Sequence, residues 1–318
     1  MDAELVQFRR DGDTGSLAED LRNSLRYPDA DVYLVEGSQP LWASLLASVR
    51  TGASVVYLCA DHGFYNLGHG SFEGQSPLKT VVGRFGRPVV KRVGRWGIDG
   101  VVAVSEFAAE FVSPFVSAST PVRIAHPYVQ PDRYDSLLTI DPAFDECRAV
   151  TIGRGARYKG IDLLVEAWPM IRESHPDAKL DVVGTDHPTV YGEQAGVTVH
   201  GYVDDDHLIS LLGQASLFIQ PSRMDTFPVA TLEAMCAGLP PLVTDCTGTR
   251  SEARALDAEL VVKPTPRSIA AGVRAYFERL VTERERLGAA ARERGRQFDR
   301  ATRTAAFRRA FYDVVARS

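Results

Sequence analysis

Short apolar runs alternate along the chain with longer segments whose apolar residues recur at helical spacing. In the first part of the chain this pattern predicts helices such as 17–24 and 41–49 between strands at 3–8, 31–35, 54–59, 100–104 and 122–126. Strands that are apolar on both faces are typical of parallel sheets covered by helices. The pattern therefore predicts an α/β protein whose first part forms an open parallel sheet.

A polar, proline-containing stretch at 127–147 interrupts this alternation and is the best candidate for a domain boundary, with a linker at 128–146. The alternation then restarts and predicts a second sheet with strands at 148–152, 180–183, 197–202, 216–220, 241–243 and 259–262. Beyond residue 268 an Arg-, Glu- and Ala-rich sequence predicts two or three helices. We therefore predict an N-terminal domain at 1–130, a C-terminal domain at 147–301, and a last helix at 302–318 that packs back onto the first domain.

Composition narrows the classes of protein to which the chain can belong. Its 318 residues are 45% hydrophobic and 24% charged, which is ordinary for a globular protein and suggests about two domains. The 36 basic and 41 acidic residues give a net charge of −5, which argues against a general nucleic-acid binder whose affinity comes from neutralising phosphates. The charged N-terminus lacks the apolar stretch of a signal peptide, and no run of about 18 apolar residues occurs, so we expect a cytoplasmic protein without a membrane span. The four cysteines show no C-x-x-C spacing and are expected to be reduced thiols.

Two loops contain residues that could bind a ligand or take part in a reaction. The first is GRGARYKG at 153–160, between a predicted strand and a helix that begins at Ile161 or Asp162. Glycines allow a ligand to approach the backbone, a helix N-terminus offers N–H groups, and arginine and lysine add positive charge. The loop is therefore a candidate diphosphate site, and a solvated turn whose glycines only cap elements is the equally weighted alternative. It matches neither the P-loop nor the G-x-G-x-x-G pattern, so it indicates neither a Walker nucleotidase nor a dinucleotide enzyme.

The second loop is PSRMDTFP at 221–228, before a predicted helix that Gly238 would end. Asp225 precedes this helix, and Glu233 lies eight residues further on, about two helical turns away. Both carboxylates are candidates for accepting hydrogen bonds from sugar hydroxyl groups, and a buried Glu233 would need a counter-charge. The alternative is a carboxylate favoured by the helix dipole followed by one solvated glutamate.

Several segments of the second half, taken in order, resemble the retaining glycosyltransferases of family 4, which have the GT-B fold. The matching segments are VTIGRGARYKGIDLLVEAWP, DVVG, VTVHGYVDDDHLISLLGQASLFIQPS and, above all, PSRMDTFPVATLEAMCAGLPPLVTDCTGTRSEA. The last of these resembles the E-x7-E signature of the family, with Asp225 and Glu233 in the two acidic positions. The resemblance covers about 150–265 and implies two Rossmann-like, doubly wound parallel-sheet domains that face each other across a cleft.

The resemblance also implies roles for residues of this chain. Arg154 and Lys159 would hold the diphosphate of a nucleotide sugar and stabilise the charge of the leaving group. Glu233 would bind the ribose hydroxyl groups, and Asp225 would face the donor sugar. The other positions implied in substrate binding are Gly153, Gly184, Tyr202, Phe227, Pro228 and Val229. Asp225 departs from the usual glutamate by one methylene, and Pro228 stands where many members have glycine.

The first domain resembles the family less closely and is shorter than usual. His62, in the loop DHGFYNLGHG after a predicted strand, stands where family members place a histidine near the donor sugar, so we include it among the catalytic candidates. The alternative for His62 is a structural role. Ser105 and His126, which also follow predicted strands, are expected to be structural.

In family 4 the acceptor attacks from the side of the leaving group and the anomeric configuration is retained, so the resemblance implies neither a metal nor another cofactor. Asp204-Asp205-Asp206 formally contains a D-x-D metal motif. Because these residues precede the predicted helix HLISLLGQ, we interpret them as its N-terminal cap.

One basic segment indicates contact with a membrane surface. Residues 74–98 include no acidic residue, and 79–96 contains six arginines and lysines. In a helical projection Val89 and Trp96 share one face and Arg95 lies on the opposite face. This pattern suits a surface of anionic lipid. An ordinary surface helix whose apolar face packs on its own sheet is the alternative.

The sequence and the resemblance together predict a retaining glycosyltransferase that transfers a sugar from a nucleoside-diphosphate sugar to a lipid-linked or glycan acceptor. We expect it in the cytoplasm, with 79–96 as a segment for peripheral attachment to the membrane. The alternative function is a catalytically silent nucleotide-sugar-binding partner of another glycosyltransferase, which Asp225, Pro228 and the short first domain suggest.

Overall fold

The structure is a computed structural model that describes residues 24–69 and 88–317. The predicted strand at 3–8, nearly all of the helix at 17–24 and the part of the basic segment before residue 88 lie outside the described residues. Contacts divide the chain into two compact units, one formed by Met1–Ala125 with Ala306–Ser318 and the other by His126–Ala305.

The first unit contains a parallel sheet of four strands in the order β1-β2-β3-β4. The strands are β1 (Val32–Glu36), β2 (Ser54–Cys59), β3 (Gly100–Ala103) and β4 (Val122–Ile124). The described helices are α1 (Ser38–Thr51), α2 (Gly63–His69), α3 (88–97) and α4 (Glu106–Val112). Each of these strands begins and ends within two residues of its predicted position, because their short apolar runs are buried between covering helices.

The last helix of the chain, α12 (Arg300–Val315), supplies part of the core of the first unit. That core contains Val56, Val102, Ala125, Ala310 and Val314. A Cβ atom at Gly100 would lie 2.0 Å from Val314 Cγ1, so the close approach of the helix to β3 requires glycine at this position.

The second unit contains a parallel sheet of six strands in the order β7-β6-β5-β8-β9-β10. The strands are β5 (Arg148–Ile152), β6 (Lys179–Val183), β7 (Val197–Gly201), β8 (Leu217–Gln220), β9 (Pro241–Thr244) and β10 (Val261–Val262). β5 and β6 pair in parallel from Arg148 opposite Lys179 to Ile152 opposite Val183. The strand order is that of a doubly wound sheet, and it reverses direction between β5 and β8.

Helices cover both faces of the second sheet, as expected for an all-parallel sheet. They are α5 (Pro131–Leu138), α6 (Ile161–Arg172), α7 (Asp205–Gln214), α8 (Val229–Cys236), α9 (Arg250–Leu256), α10 (Pro266–Phe277) and α11 (Val281–Gly295). Short 3₁₀ turns lie at Ser113–Phe115, Arg157–Lys159, Thr189–Glu193, Ala258–Leu260 and Arg296–Phe298. Trp168 of α6 is fully buried in the core between α6, α10 and the sheet.

The stretch that we predicted as a linker, 128–146, differs from the prediction because it contains α5. Pro131 begins this helix, and proline is favoured there because the first N–H of a helix has no partner within the helix. Leu137 is buried and anchors the helix to the second unit. Pro131, which the sequence pattern suggested as an interruption between two domains, therefore begins a helix.

All four cysteines, which lie within the described ranges, are free thiols as expected. Cys59 and Cys236 are buried, and Cys147 and Cys246 are half-buried. Among the helices of 24–69 and 88–317, none combines the length and the apolar character that crossing a bilayer requires.

Candidate functional site

The candidate residues of the second unit follow the carboxyl ends of its parallel strands. The loop 153–160 follows β5, Gly184 follows β6, Tyr202 follows β7, and 221–228 follows β8. The carboxyl ends of parallel strands lie on one edge of a sheet, and open α/β sheets bind ligands there, beside the point where the strand order reverses. β5 and β8 are the two neighbours at that point. The two candidate loops, 153–160 and 221–228, therefore lie next to each other at the switch point.

An ion pair joins these two loops. Lys159 Nζ lies 2.7 Å from Asp225 Oδ2, and the two side chains are 22% and 8% exposed. The backbone of Asp225 is fixed as well, because its N–H donates to Cys246 O at 3.0 Å and its carbonyl accepts from Gly248 N–H at 2.9 Å. The pair places a positively charged nitrogen at the switch point, beside the carboxylate that the resemblance assigns to the donor sugar.

Arg223 holds the two loops together at a second place, and nothing in the sequence pattern singled it out. Its guanidinium donates two hydrogen bonds of 2.6 Å to the carboxylate of Asp162 and one of 2.8 Å to Arg157 O. Burial pushes the pKa of Asp162 upwards, but the hydrogen bonds and charge of Arg223 outweigh it and hold the pKa below its usual value. This bidentate pair braces the 3₁₀ turn that ends in Lys159.

Two glycines allow the loops to pack at backbone distance. Gly160 has a φ of +69°, and a Cβ atom there would lie 2.1 Å from Pro221 O. Gly184 has a φ of +134°, and a Cβ atom there would lie 2.1 Å from Gly153 O. Only glycine satisfies both the positive φ and the close contact. Glycine is thus required at the candidate position 184 for a structural reason, which is the contact between the loops after β5 and β6.

The N–H groups of the glycine-rich loop are bonded within the protein. Those of Gly153, Gly155, Lys159 and Gly160 donate to the carbonyl oxygens of Val183, Thr185, Ala156 and Arg157, at 2.7–3.2 Å. These four N–H groups therefore already have acceptors, and the N–H groups that the sequence pattern offers to a phosphate are those at the N-terminus of α6. The charge of the side chains remains, with Arg154 exposed and Lys159 half-buried.

His187 supports the same loop from the side of β6. Its Nε2 lies 2.8 Å from Gly153 O, and its Nδ1 is buried with no hydrogen-bond partner among the described residues. Burial lowers the pKa of His187, so the ring is neutral at pH 7. Because a carbonyl oxygen only accepts, the proton is on Nε2. Neutral His187 therefore donates a hydrogen bond from Nε2 to the carbonyl of Gly153 and so fixes the position of that carbonyl.

Glu233 lies on α8 and is only 8% exposed, which contradicts the alternative of a solvated glutamate. Arg133 Nη1 lies 3.6 Å from Glu233 Oε1, and Arg133 Nη2 lies 2.7 Å from Asp205 Oδ1. Burial raises the pKa of Glu233, and the positive charge of Arg133 opposes this rise. The counter-charge that a buried Glu233 needs is therefore supplied from α5, which the sequence pattern did not reveal.

The three consecutive aspartates cap a helix, as we interpreted them. Asp204 is the N-cap residue directly before α7, and its carboxylate accepts a hydrogen bond of 2.9 Å from His207 N–H. Within the described ranges, no group of three or more histidine, cysteine, aspartate or glutamate side chains is arranged to hold a metal ion.

Phe227 lies in the second loop with its ring buried, at 6% exposure. The ring stacks on His126 with centroids 4.8 Å apart and planes inclined by 12°, and Phe298 lies at 6.2 Å. The ring therefore supports the loop, and the backbone of 227–229 is the part that a ligand could contact. His126 has the structural role that we expected. Tyr202, in contrast, is 82% exposed.

His62 belongs to the first unit, whereas the other candidates belong to the second. It is half-buried and lies directly before α2. Its neighbour Asp61 accepts hydrogen bonds from the Tyr57 hydroxyl at 2.8 Å and from Gly63 N–H at 3.2 Å, which fixes the turn that carries His62. Ser105 caps α4 by accepting from the N–H of Ala108 at 3.0 Å, the structural role that we expected.

Residues 144–294 match the model of a protein family described as glycosyl transferases group 1. The second unit carries a group 1 glycosyltransferase domain. The matched segment includes Lys159, Asp225 and Glu233, whereas Arg133 lies before it.

Two curated proteins are similar to the chain in sequence. An uncharacterized glycosyltransferase of Methanocaldococcus jannaschii is 29% identical over 167 residues, which are 46% of this chain and 43% of that protein. The phosphatidyl-myo-inositol mannosyltransferase of Propionibacterium freudenreichii subsp. shermanii is 28% identical over 183 residues, which are 54% of this chain and 44% of that protein. The chain thus spans less than half of the length of these two relatives.

The fold is shared with solved glycosyltransferases. The crystal structure of Anabaena HepE in complex with UDP and glucose has a TM-score of 0.65 at 17% identity, over 93% of this chain and 81% of that chain. At this level of identity the likeness shows the fold. The predicted fold class, an α/β protein of the GT-B type with two parallel-sheet units, is confirmed.

Proposed function

We propose that the chain is a retaining glycosyltransferase of family 4, which transfers a sugar from a nucleoside-diphosphate sugar to a lipid-linked or glycan acceptor. The observation that carries this proposal is the Lys159–Asp225 ion pair, which joins the loops after β5 and β8 at the switch point of the group 1 glycosyltransferase domain. HepE, which has the same fold, is bound to UDP and glucose in its crystal structure, and this supports a nucleotide sugar as the donor.

In the proposed reaction, Arg154 and Lys159 attract the diphosphate and stabilise the negative charge that grows on it as the bond to the anomeric carbon breaks. The acceptor oxygen forms its bond to that carbon from the same side, and its proton passes to an oxygen of the departing phosphate. Glu233 binds the ribose hydroxyl groups, and Asp225 accepts from the donor sugar and holds Lys159. His62 is proposed to contact the donor sugar, a role that rests on the resemblance. Two basic side chains supply the positive charge, so the proposed reaction uses no metal and no other cofactor.

A lipid-linked acceptor is supported by α3 of the first unit. Val89 and Trp96 on this helix are 62% and 74% exposed, and Arg92 and Arg95 of the same helix are also exposed. The alternative interpretation requires Val89 and Trp96 to pack on the sheet of their own unit. Their exposure shows that they do not. Exposed tryptophan flanked by arginine suits the interface of an anionic bilayer. One relative, moreover, is a phosphatidyl-myo-inositol mannosyltransferase.

We expect the double variant Arg92→Gln/Arg95→Gln to bind anionic vesicles about 30-fold more weakly than the wild type. Each basic residue near such a surface contributes about 1 kcal/mol, and about 1.4 kcal/mol corresponds to a tenfold change. Sedimentation with phosphatidylglycerol vesicles measures the change. Arg267→Gln, an exposed arginine of the second unit, is the matched control. Equal partitioning of the double variant and the wild type would remove α3 as a membrane contact.

Incubation of the purified protein with a panel of UDP-, GDP- and ADP-sugars, without added metal, tests the function itself. Mass spectrometry follows release of the nucleoside diphosphate with and without a membrane extract that contains polyprenyl phosphate, and NMR of the product reports the anomeric configuration. We expect one donor to be consumed, faster with the extract, with retained configuration.

Other outcomes of this assay have equally direct meanings. A donor that binds in calorimetry but is not consumed would favour the catalytically silent nucleotide-sugar binder. If no donor is consumed or bound, the proposed function is wrong.

A further inference from the structure

We propose that Arg133 is a positioning residue of the donor site, which supplies the counter-charge for the carboxylate of Glu233 and so prepares that carboxylate to bind the ribose of the donor. This inference rests on the proposed function. It concerns a residue that lies outside both loops and outside the segment that matches the glycosyltransferase family.

The geometry of Arg133 is that of a side chain shared between two carboxylates. Its Nη2 lies 2.7 Å from Asp205 Oδ1, which is a charge-assisted hydrogen bond, and its Nη1 lies 3.6 Å from Glu233 Oε1. At 3.6 Å the second contact is beyond hydrogen-bond distance and acts through charge. Asp205 at the start of α7 therefore orients the guanidinium of Arg133. The positive charge of Arg133 stabilises the Glu233 carboxylate, whose lone pairs can still accept hydrogen bonds from a ligand.

Arg133 is the cation paired with Glu233 among the described residues. The elements packed against α8 are α5, α11, β8 and β9, and the two strands contain no charged residue. On α11, Arg292 donates to Ala237 O at 2.9 Å, and Arg294 pairs with Glu252. The other charged group that acts on Glu233 is Asp205, which disfavours its ionisation.

A counter-charge matters here because Glu233 is buried. Burial makes the charged form of a carboxylate costly and raises its pKa, and a neighbouring cation opposes this effect. A neutral carboxyl group is a weaker acceptor for hydroxyl groups than a carboxylate. Without Arg133, protonation of Glu233 would begin at a higher pH and the affinity for ribose would fall there.

The test compares Arg133→Met and Arg133→Lys with the wild type by calorimetry between pH 5 and pH 8. The probes are UDP, GDP and ADP, together with inorganic pyrophosphate, which has no ribose. Arg267→Met, which changes an exposed arginine, is the control. For the nucleoside diphosphate that the wild type binds, we expect Arg133→Met to weaken binding about tenfold at pH 7 and to shift the acid-side loss of affinity to higher pH. Arg133→Lys, which keeps the charge, restores most of the affinity, and pyrophosphate binds equally to all variants.

Each alternative result separates the inference from the function on which it rests. If the wild type binds a nucleoside diphosphate and Arg133→Met keeps the same pH profile, the inference is wrong and the proposed function stands. If Arg133→Met loses pyrophosphate as well, Arg133 supports the fold of the whole site and the specific link to ribose is wrong. If the wild type binds none of the three nucleotides, the proposed function fails and the inference fails with it.

Discussion

The variant Lys159→Met is expected to transfer the donor sugar about 100- to 1000-fold more slowly than the wild type, which is the effect of removing one group that stabilises a developing anion. Lys159 is half-buried at the switch point, so water replaces its charge poorly. The measurement is kcat for release of the nucleoside diphosphate, followed by mass spectrometry. Binding of the donor should change much less than kcat, because the charge of the leaving group grows during the reaction.

Two further variants separate catalysis from folding in this prediction. Lys159→Met leaves the nearly buried Asp225 without its partner, which costs about 1–3 kcal/mol of unfolding free energy. Lys159→Met/Asp225→Asn removes both charges and should recover the stability without recovering the rate. Lys179→Met, an exposed lysine at the start of β6, should behave like the wild type. A kcat for Lys159→Met within about threefold of the wild type would exclude Lys159 from the leaving-group site.

The second large effect is expected for Glu233→Gln, which should bind the nucleoside diphosphate of the donor about 10- to 100-fold more weakly. Hydrogen bonds to a charged acceptor contribute about 1.5–3 kcal/mol, and glutamine keeps the shape without the charge. Affinity of the wild type should fall as the pH falls through the raised pKa of Glu233, because protonation removes the carboxylate. Glu233→Gln should lose this pH dependence. Calorimetry over the pH range measures both effects.

A nucleotide without ribose hydroxyl groups makes this second prediction specific. The wild type should bind the 2′,3′-dideoxy nucleoside diphosphate much more weakly than the natural one, and Glu233→Gln, whose amide oxygen is a weaker acceptor than a carboxylate, should distinguish the two ligands much less than the wild type does. Glu173→Gln, on the exposed end of the turn after α6, is the control. Equal discrimination by Glu233→Gln and the wild type would show that the ribose binds elsewhere.

The loops at 153–160 and 221–228 could be predicted because they depend on local signals. Apolar runs place β5 and β8, glycines and prolines mark their ends, and a parallel sheet brings carboxyl-terminal loops to one edge. The helix start after Gly160 followed in the same way, since it depends on a residue that tolerates positive φ. Sequence was sufficient wherever the determining interaction lies within a few residues of the chain.

The partners of the site residues could not be predicted, because distant segments supply them. Arg133 lies 100 positions before Glu233, in a stretch whose prolines suggested a linker, and the need for a counter-charge did not identify which arginine meets it. Arg223 and Asp162 are 61 positions apart. The N–H groups of Gly153 and Gly155 donate to the carbonyl oxygens of Val183 and Thr185, which belong to β6 and its following loop, so the loop sequence alone did not reveal these acceptors. Satisfaction of backbone groups is decided by tertiary neighbours.

The contribution of α12 to the first unit has a consequence for the order in which the protein is made. Val56 and Val102 leave the ribosome early, but Ala310 and Val314, which complete their core, are added only after the whole second unit has been synthesised. One face of the sheet β1–β4 is therefore not yet covered by α12 at the stage when residues 126–305, which form the second unit, have all been synthesised. The unit that is begun first is finished last, and a nascent chain that stops before residue 306 would expose that apolar face to aggregation or to a chaperone.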